Sequence, residues 1–151
     1  MLDQLFPKQA NNNYTGSPIA KWVFIAITVL TVIRSLIHMV APDGGAQSIA
    51  TIPLDTFTNN GAAAVILIMA LWGLSQVLMA LIYVVVLWRY QVFIPFMYAL
   101  IFIEYAMRMV LMHVKPVRIT GTAPGHVADY VMVPLALVML GLSLIQHKKV
   151  G

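Results

Sequence analysis

The stretch AAAVILIMALWGLSQVLMALIYVVVLW (62–88) decides the fold, because it carries no charged side chain and is long enough to cross a lipid bilayer. A hydrocarbon core about 30 Å thick needs roughly 20 helical residues. Three further apolar segments, at about 20–41, 92–114 and 128–146, meet the same requirement. The sequence therefore predicts four membrane-spanning helices.

The composition of the whole chain supports the same interpretation. Of 151 residues, 61% are hydrophobic and only 9% are charged, and the mean hydropathy is +0.88. Such a chain has too little polar surface to cover a soluble globule. We therefore expect a protein that is integral to a membrane. The absence of cysteine excludes disulfides, thiolate nucleophiles and cysteine-ligated metals.

Short connections make sequential helices antiparallel neighbours, so the expected fold is all-α, an up-down bundle of four transmembrane helices. The chain divides into a polar amino-terminal segment (1–19), a transmembrane domain (20–146) and a basic tail (147–151). Segment 1–19 lacks the apolar core of a cleavable signal peptide, so the first span is expected to direct insertion. Pro134 is expected to bend the fourth helix.

Lysine and arginine residues beside the spans predict the orientation. Five of them flank the ends that share a side with the amino terminus, and two flank the other ends. The first group is Lys8, Lys21, Arg89, Lys148 and Lys149, and the second is Lys115 and Arg118. Because basic residues accumulate on the cytoplasmic side, both termini are predicted to be cytoplasmic. The net charge of +4 is scattered over these borders, so no nucleic-acid partner is expected.

Polar residues inside the predicted spans fall at one depth, in the outer half of the bundle. Arg34 and His38 are four residues apart, and so are Glu104 and Arg108, so each pair occupies one helix face. Charged side chains are costly in lipid, and these faces should turn inward. The candidate ligand-binding residues are Arg34, His38, Gln76, Glu104, Tyr105 and Arg108.

Several interpretations of this cluster remain open. It can be a structural set of ion pairs that holds helices in register, or it can line a pocket that opens outward. Two arginines against Glu104 leave one positive charge, which Asp129 or an anionic ligand would cancel. The pocket hypothesis predicts an anionic or lipidic small molecule as partner, besides membrane lipid. A structural subunit with a membrane protein partner is a third hypothesis.

Two chemical alternatives follow from the same residues. Glu104 could act as a general acid or base on a lipid-like substrate. His38 and His113, on different helices near one border, could ligate a haem, although the chain has no CxxCH motif for haem attachment. No metal and no catalytic residue is assigned.

Two loops lie at the predicted outer end. They are rich in glycine and proline, and the first is long for a connection between neighbouring helices. Residues 48–57, SIATIPLDTF, are apolar enough to lie along the membrane interface as part of a lid. We expect a mixture of turns and such a lid.

Five stretches carry a resemblance: RSLIHMVAPDGGAQSIATIPLD (34–55), WGLSQ (72–76), RYQVFIPFMY (89–98), EYAMRM (104–109) and TGTAPGHVADY (120–130). Together they resemble small bacterial four-helix membrane proteins of uncharacterised function, broadly of the DoxX-like class. The likeness covers about residues 20–146. It implies a bacterial inner-membrane protein of four helices, and it supplies neither an activity nor a functional residue.

Overall fold

The computed structural model describes residues 2–145, and within that range the chain is all-helical, with no strand. Five α-helices follow one another: α1 (Leu2–Leu5), α2 (Pro18–Val40), α3 (Asn59–Arg89), α4 (Ile94–Val114) and α5 (Pro124–Leu144). Helices α2 to α5 are each long and apolar enough to cross a membrane. The predicted fold class is confirmed, and the protein is an integral membrane protein. Residue 146 and the predicted basic tail, 147–151, lie outside the described residues.

Local signals set the helix ends. Ser17 accepts a hydrogen bond from Ile19 N at 3.3 Å, and Pro18 occupies the first turn of α2, where a missing N–H costs nothing. Thr58 caps α3 by accepting a hydrogen bond from Gly61 N at 3.2 Å. Helix α3 begins at Asn59, three residues before the predicted start. Pro124 opens α5 four residues before the predicted start. Pro134 lies in the middle of α5 without ending it.

Helix α3 is longer than a membrane requires. Its 31 residues would span about 46 Å at 1.5 Å per residue, well beyond a hydrocarbon core of about 30 Å. A helix of this length must tilt or extend into the headgroup region. It connects the long loop at one end of the bundle to the short 3₁₀ turn Gln91–Phe93 at the other.

The helices pack as two hairpins. The contacts of α2 with α3 and of α4 with α5 are the most extensive in the molecule. The α2–α3 hairpin is closely packed at Gly73, because a Cβ there would lie 2.9 Å from Ser35 O and 3.0 Å from Met39 N. Glycine is therefore required where α3 crosses the backbone of α2.

The hydrophobic core occupies one end of the bundle. It is built on the amino-terminal halves of α2 and α4 and the carboxy-terminal halves of α3 and α5. At its centre the ring of Phe24 lies 5.2 Å from that of Tyr83 and 5.6 Å from that of Tyr98, centroid to centroid. Tyr98 donates a hydrogen bond to Ala20 O at 2.6 Å, which satisfies a buried hydroxyl. We call this end the core end.

The amino-terminal segment folds onto the core end. The Phe6 ring lies 5.7 Å from that of Phe96, and Ser17 N donates to Leu142 O at 3.1 Å. Tyr14 is half-buried here and donates to Ser17 O at 3.1 Å. Burial raises the pKa of Tyr14 to about 12. The polar composition of residues 2–17 thus accompanies specific packing.

The opposite end, which we call the loop end, carries the connections 41–58 and 115–123. In the first, regular structure is limited to a 3₁₀ turn at Leu54–Thr56, within the predicted interfacial segment 48–57. The two connections are joined, because Thr51 O accepts hydrogen bonds from Thr120 N at 3.0 Å and from Thr120 Oγ1 at 3.2 Å.

Candidate polar network and cavity

A chain of hydrogen bonds crosses the bundle between the two ends. Arg34 on α2 donates from Nη2 to Gln76 Oε1 on α3 at 3.2 Å, and from Nη1 to Tyr105 OH on α4 at 3.3 Å. Gln76 Nε2 in turn donates to Glu104 Oε1 at 3.1 Å. Arg34 and Glu104 thus belong to one network, but the amide of Gln76 joins them and they form no direct ion pair.

Arg108 brings the fourth helix into the network. Its Nη1 lies 3.6 Å from Glu104 Oε1, one turn earlier on α4, and its Nε lies 3.2 Å from Asp129 Oδ1 on α5. Neither contact has the alignment of a hydrogen bond, since Arg108 Nη1 and Asp129 Oδ1 are buried without a hydrogen-bond partner. Both contacts are ion pairs that act by charge and proximity. Asp129 is only 2% exposed.

One aromatic ring lies close to both guanidinium groups. Trp72 lies 5.3 Å from Arg34 Cζ and 5.3 Å from Arg108 Cζ, measured to the ring centroid. The ring of Tyr105 lies 4.9 Å from Arg108 Cζ. Guanidinium groups at these distances are attracted to aromatic faces, and the attraction grows where water is excluded. The rings therefore help to stabilise both guanidinium groups in an apolar setting.

The carboxylates are distributed unequally between the arginines. Arg108 pairs with both Glu104 and Asp129, whereas Arg34 pairs with no carboxylate among residues 2–145. The partners of Arg34 are the neutral groups of Gln76 and Tyr105, and its Nε is buried without a hydrogen-bond partner. The formal charges of the network cancel, but the compensation is concentrated on Arg108.

A cavity of about 660 Å³ opens on the loop side of this network. Its lining comes from α2, α3, the end of α4, both connections and the start of α5. The lining residues are Leu30, Ile33, Arg34, Ile37, His38, Ile49, Ala50, Ile52, Met69, Trp72, Met112, Lys115, Pro116, Val117, Ile119, Ala123, Pro124, Gly125, His126 and Ala128. Most are apolar. The titratable ones among these described residues are all basic: Arg34, His38, Lys115 and His126.

The six predicted site residues divide between the cavity and the network. Arg34 and His38 line the cavity. The other four lie in the network outside the cavity lining: Gln76, Glu104, Tyr105 and Arg108. Arg34 belongs to both. The structure thus brings Arg34, Glu104 and Arg108 together in one network, but it leaves Glu104 and Arg108 outside the cavity lining.

The two histidines of the haem alternative have different surroundings. His38 is buried, its Nδ1 lies 2.8 Å from Gly44 O, and its ring lies 4.8 Å from that of Trp72. His113 is exposed at the end of α4, with its Nδ1 2.9 Å from Met109 O of the same helix. Of these two histidines, His38 lines the cavity and His113 does not. The haem hypothesis gains no supporting feature from this placement.

Trp72 and Asp129 take part in the site but are not among the six predicted residues. Trp72 precedes Gln76 by one helical turn and therefore shares its face. The sequence predicts Asp129 only as a possible counter-charge for the arginines. The packing of α5 against α4 determines its partner, because it brings Asp129 to Arg108.

The two connections form the roof of the cavity. Asp43 organises the first one, accepting hydrogen bonds from Gly45 N at 2.9 Å, Gln47 N at 3.0 Å and Ser48 N at 2.7 Å. Partial burial alone would raise the pKa of Asp43, but these bonds and that from the Ser48 hydroxyl outweigh it and lower the pKa to about 2.

Thr51, at the junction of the two connections, has a φ of 56°. A β-branched residue in this left-handed region is strained by about 1–3 kcal/mol. Besides accepting from Thr120, Thr51 donates from Oγ1 to Gly121 O at 3.3 Å. The hydrogen bonds between the connections hold this conformation over the cavity.

No family model, curated protein or solved structure matches the chain. The resemblance noted from the sequence therefore extends to the four-helix membrane architecture and identifies no family. The cavity and the network are the two features of the molecule that bear on its function. What they establish together is a small four-span membrane protein with a polar network beside an apolar cavity.

Proposed function

We propose that the protein binds a lipidic or similarly amphiphilic small molecule in the cavity at the loop end. The observation that carries the proposal is the cavity itself. Its volume of about 660 Å³ lies in the range of ligand sites, roughly 300–1,000 Å³, and such sites combine apolar walls with a few placed polar groups. Arg34 and His38 are the polar groups on its α2 wall.

The α2 wall supports entry from the membrane. Leu30 and Ile33 line the cavity and are still 65% and 51% exposed. From Leu30 to His38 the wall extends about 12 Å along α2 at 1.5 Å per residue, from the middle of the span toward the loops. A molecule dissolved in the bilayer could therefore enter sideways, with its apolar body against these residues.

The enzymatic alternative has less support. Glu104 contacts Gln76 and Arg108 and is absent from the cavity lining, and a general acid or base must come within hydrogen-bond reach of its substrate. A role as a structural subunit stays a prediction that no described feature favours. The same proposal includes a bacterial inner-membrane location, which the sequence resemblance implies. It also includes cytoplasmic placement of both termini, which rests on the flanking lysines and arginines.

The test is to narrow the cavity and measure what the protein retains. Ile37→Trp places a bulky indole ring in the lining. Leu67→Trp introduces the same ring at a 59% exposed position of α3 that is not part of the lining. After gentle extraction, native mass spectrometry should find a bound molecule on the natural protein and on Leu67→Trp, and much less on Ile37→Trp. Equal occupancy in all three proteins would reject the cavity as a binding site.

A further inference from the structure

The unequal pairing of the two part-buried arginines suggests what kind of ligand the cavity selects. Arg108 has two carboxylates, at 3.2 and 3.6 Å, and Arg34 has only neutral partners among the described residues. An arginine in a membrane span is costly and is usually paired. Glu104, the carboxylate that Arg34 reaches through Gln76, already contacts Arg108.

The cavity is the side from which a counter-charge for Arg34 can come. Arg34 is part-buried and lies in the lining, whereas neither Glu104 nor Asp129 does. Lys115 and His126, from the start of the second connection and the first turn of α5, add basic character near the loops. An anion in this cavity would meet basic groups and apolar walls, and no described carboxylate of the lining would repel it.

On these grounds, and resting on the proposed function, we propose that the cavity selects amphiphiles with an anionic head group, which Arg34 binds as its counter-ion. Carboxylate and phosphate heads share the required chemistry, since both accept charge-assisted hydrogen bonds from a guanidinium group. The apolar body lies against the aliphatic residues of α2 and the connections. Trp72, which also lines the cavity, stacks near Arg34 and makes the site visible by fluorescence.

Trp72 allows a direct test. Trp22 and Trp88 are 71% and 76% exposed, so both can be replaced by Phe with little loss of packing. Trp72 is then the single tryptophan. In lipid vesicles, this protein is titrated with dibromostearate, whose bromine atoms quench nearby indoles. The same brominated chain is also tested as dibromostearyl phosphate, dibromostearyl alcohol and dibromostearyl trimethylammonium. The pH is kept above the interfacial pKa of the fatty acid. A protein with Trp22 alone reports quenching by the surrounding lipid.

Quenching of Trp72 fluorescence by both anionic compounds should saturate at membrane concentrations about tenfold lower than quenching by the alcohol. A single charge-assisted contact would give a difference of this size. The cationic quencher should be weakest. Inorganic phosphate and acetate should not displace the bound amphiphile, and displacement by either would overturn the proposal in favour of a free-anion site. Arg34→Gln should reduce the advantage of the anions to about twofold or less, and Arg34→Lys and the distant Arg89→Gln should keep most of it.

The outcomes separate the two proposals. Equal saturable quenching of Trp72 by anionic, neutral and cationic compounds would overturn charge selection and leave the binding function intact. Quenching of Trp72 that never saturates, or that merely follows that of Trp22, would overturn the binding function as well. The ligand series uses the natural Arg34, so the test remains decisive even if Arg34→Gln fails to fold.

Discussion

At the residue scale, similar side chains acquire different roles from their neighbours. Arg34 and Arg108 both interrupt apolar spans, and each lies one helical turn from a second polar residue. Arg108 has Glu104 one turn earlier on its own helix, and packing adds Asp129. Packing places an amide and a phenol on Arg34. A paired guanidinium stabilises the contact between helices, whereas one with neutral partners remains able to attract an anion.

Asp43 is a second residue whose role follows from its neighbours. Its two carboxylate oxygens accept three backbone hydrogen bonds and one from the Ser48 hydroxyl. These lower its pKa from 3.8 to about 2. A depressed pKa stabilises the folded state above the unfolded pKa, and this stabilisation is lost as the pH falls through the folded pKa. The contribution is thus present above pH 3.8 and disappears toward pH 2.

The corresponding prediction compares Asp43→Asn with the natural protein. The amide cannot accept at both oxygen positions, so the variant should melt at a lower temperature at neutral pH, and the difference should shrink as the pH falls from 4 toward 2. Thermal melting in a nonionic detergent over this range measures it. Asp55→Asn, at an exposed position with one side-chain partner, is the control. A difference that stays constant with pH would contradict the assignment.

At the element scale, close contacts decide how far apart the helices lie. Gly73 lets α3 approach the backbone of α2, and in lipid such small residues permit the packing that replaces a hydrophobic driving force. This approach also brings Gln76, one turn further along α3, to Arg34. The polar network therefore depends on a residue that makes no polar contact.

Gly73→Ala should destabilise the bundle by about 1–3 kcal/mol, because its Cβ would press on α2 backbone atoms that cannot move independently. Gly141→Ala is the matched control on α5, since nothing lies within 4 Å of a Cβ there. That change should be neutral or stabilise by up to about 1 kcal/mol. Unfolding in mixed micelles of increasing dodecyl sulfate content compares them, and equal effects would exclude a tight crossing.

The contact between α4 and α5 predicts a coupling between Arg108 and Asp129. Arg108→Met leaves Asp129 buried without its cation, and a loss of about 3–5 kcal/mol is expected. Adding Asp129→Asn removes the orphaned charge and should restore a large part of this loss. The same micelle titration measures both variants. If the double variant is no more stable than Arg108→Met, the 3.2 Å contact contributes no coupling.

At the scale of the whole molecule, the bundle has two unlike ends. The aromatic core and the folded amino-terminal segment fill the core end. At the loop end the space between α2 and the α4–α5 hairpin is only partly filled and leaves the cavity. The hydrogen-bonded network lies between the two, so the polar residues stand where the packing changes from closed to open.

The orientation of these ends is predicted from the five basic residues against two. Single cysteines at Gln9 and Thr122 leave that count unchanged, and both positions are exposed in a chain without native cysteine. In intact bacterial cells an impermeant maleimide should label Thr122→Cys and spare Gln9→Cys until the membrane is permeabilised. The reverse pattern would place the cavity on the cytoplasmic side.

The sequence by itself determined the membrane class, the four spans and the shared depth of the polar residues. Composition, apolar length and i,i+4 spacing report these properties directly, because the bilayer acts on each helix separately. Only the tertiary structure decided that Asp129 pairs with Arg108 and not with Arg34, and that the cavity reaches Arg34 and His38 but not Glu104. These outcomes depend on how each helix is rotated about its axis and how closely it approaches its neighbours. The rotation of each helix and its distance from its neighbours are set by contacts such as those of Gly73 with α2 and of Phe24 with Tyr83 and Tyr98. These contacts join residues that are far apart in the chain.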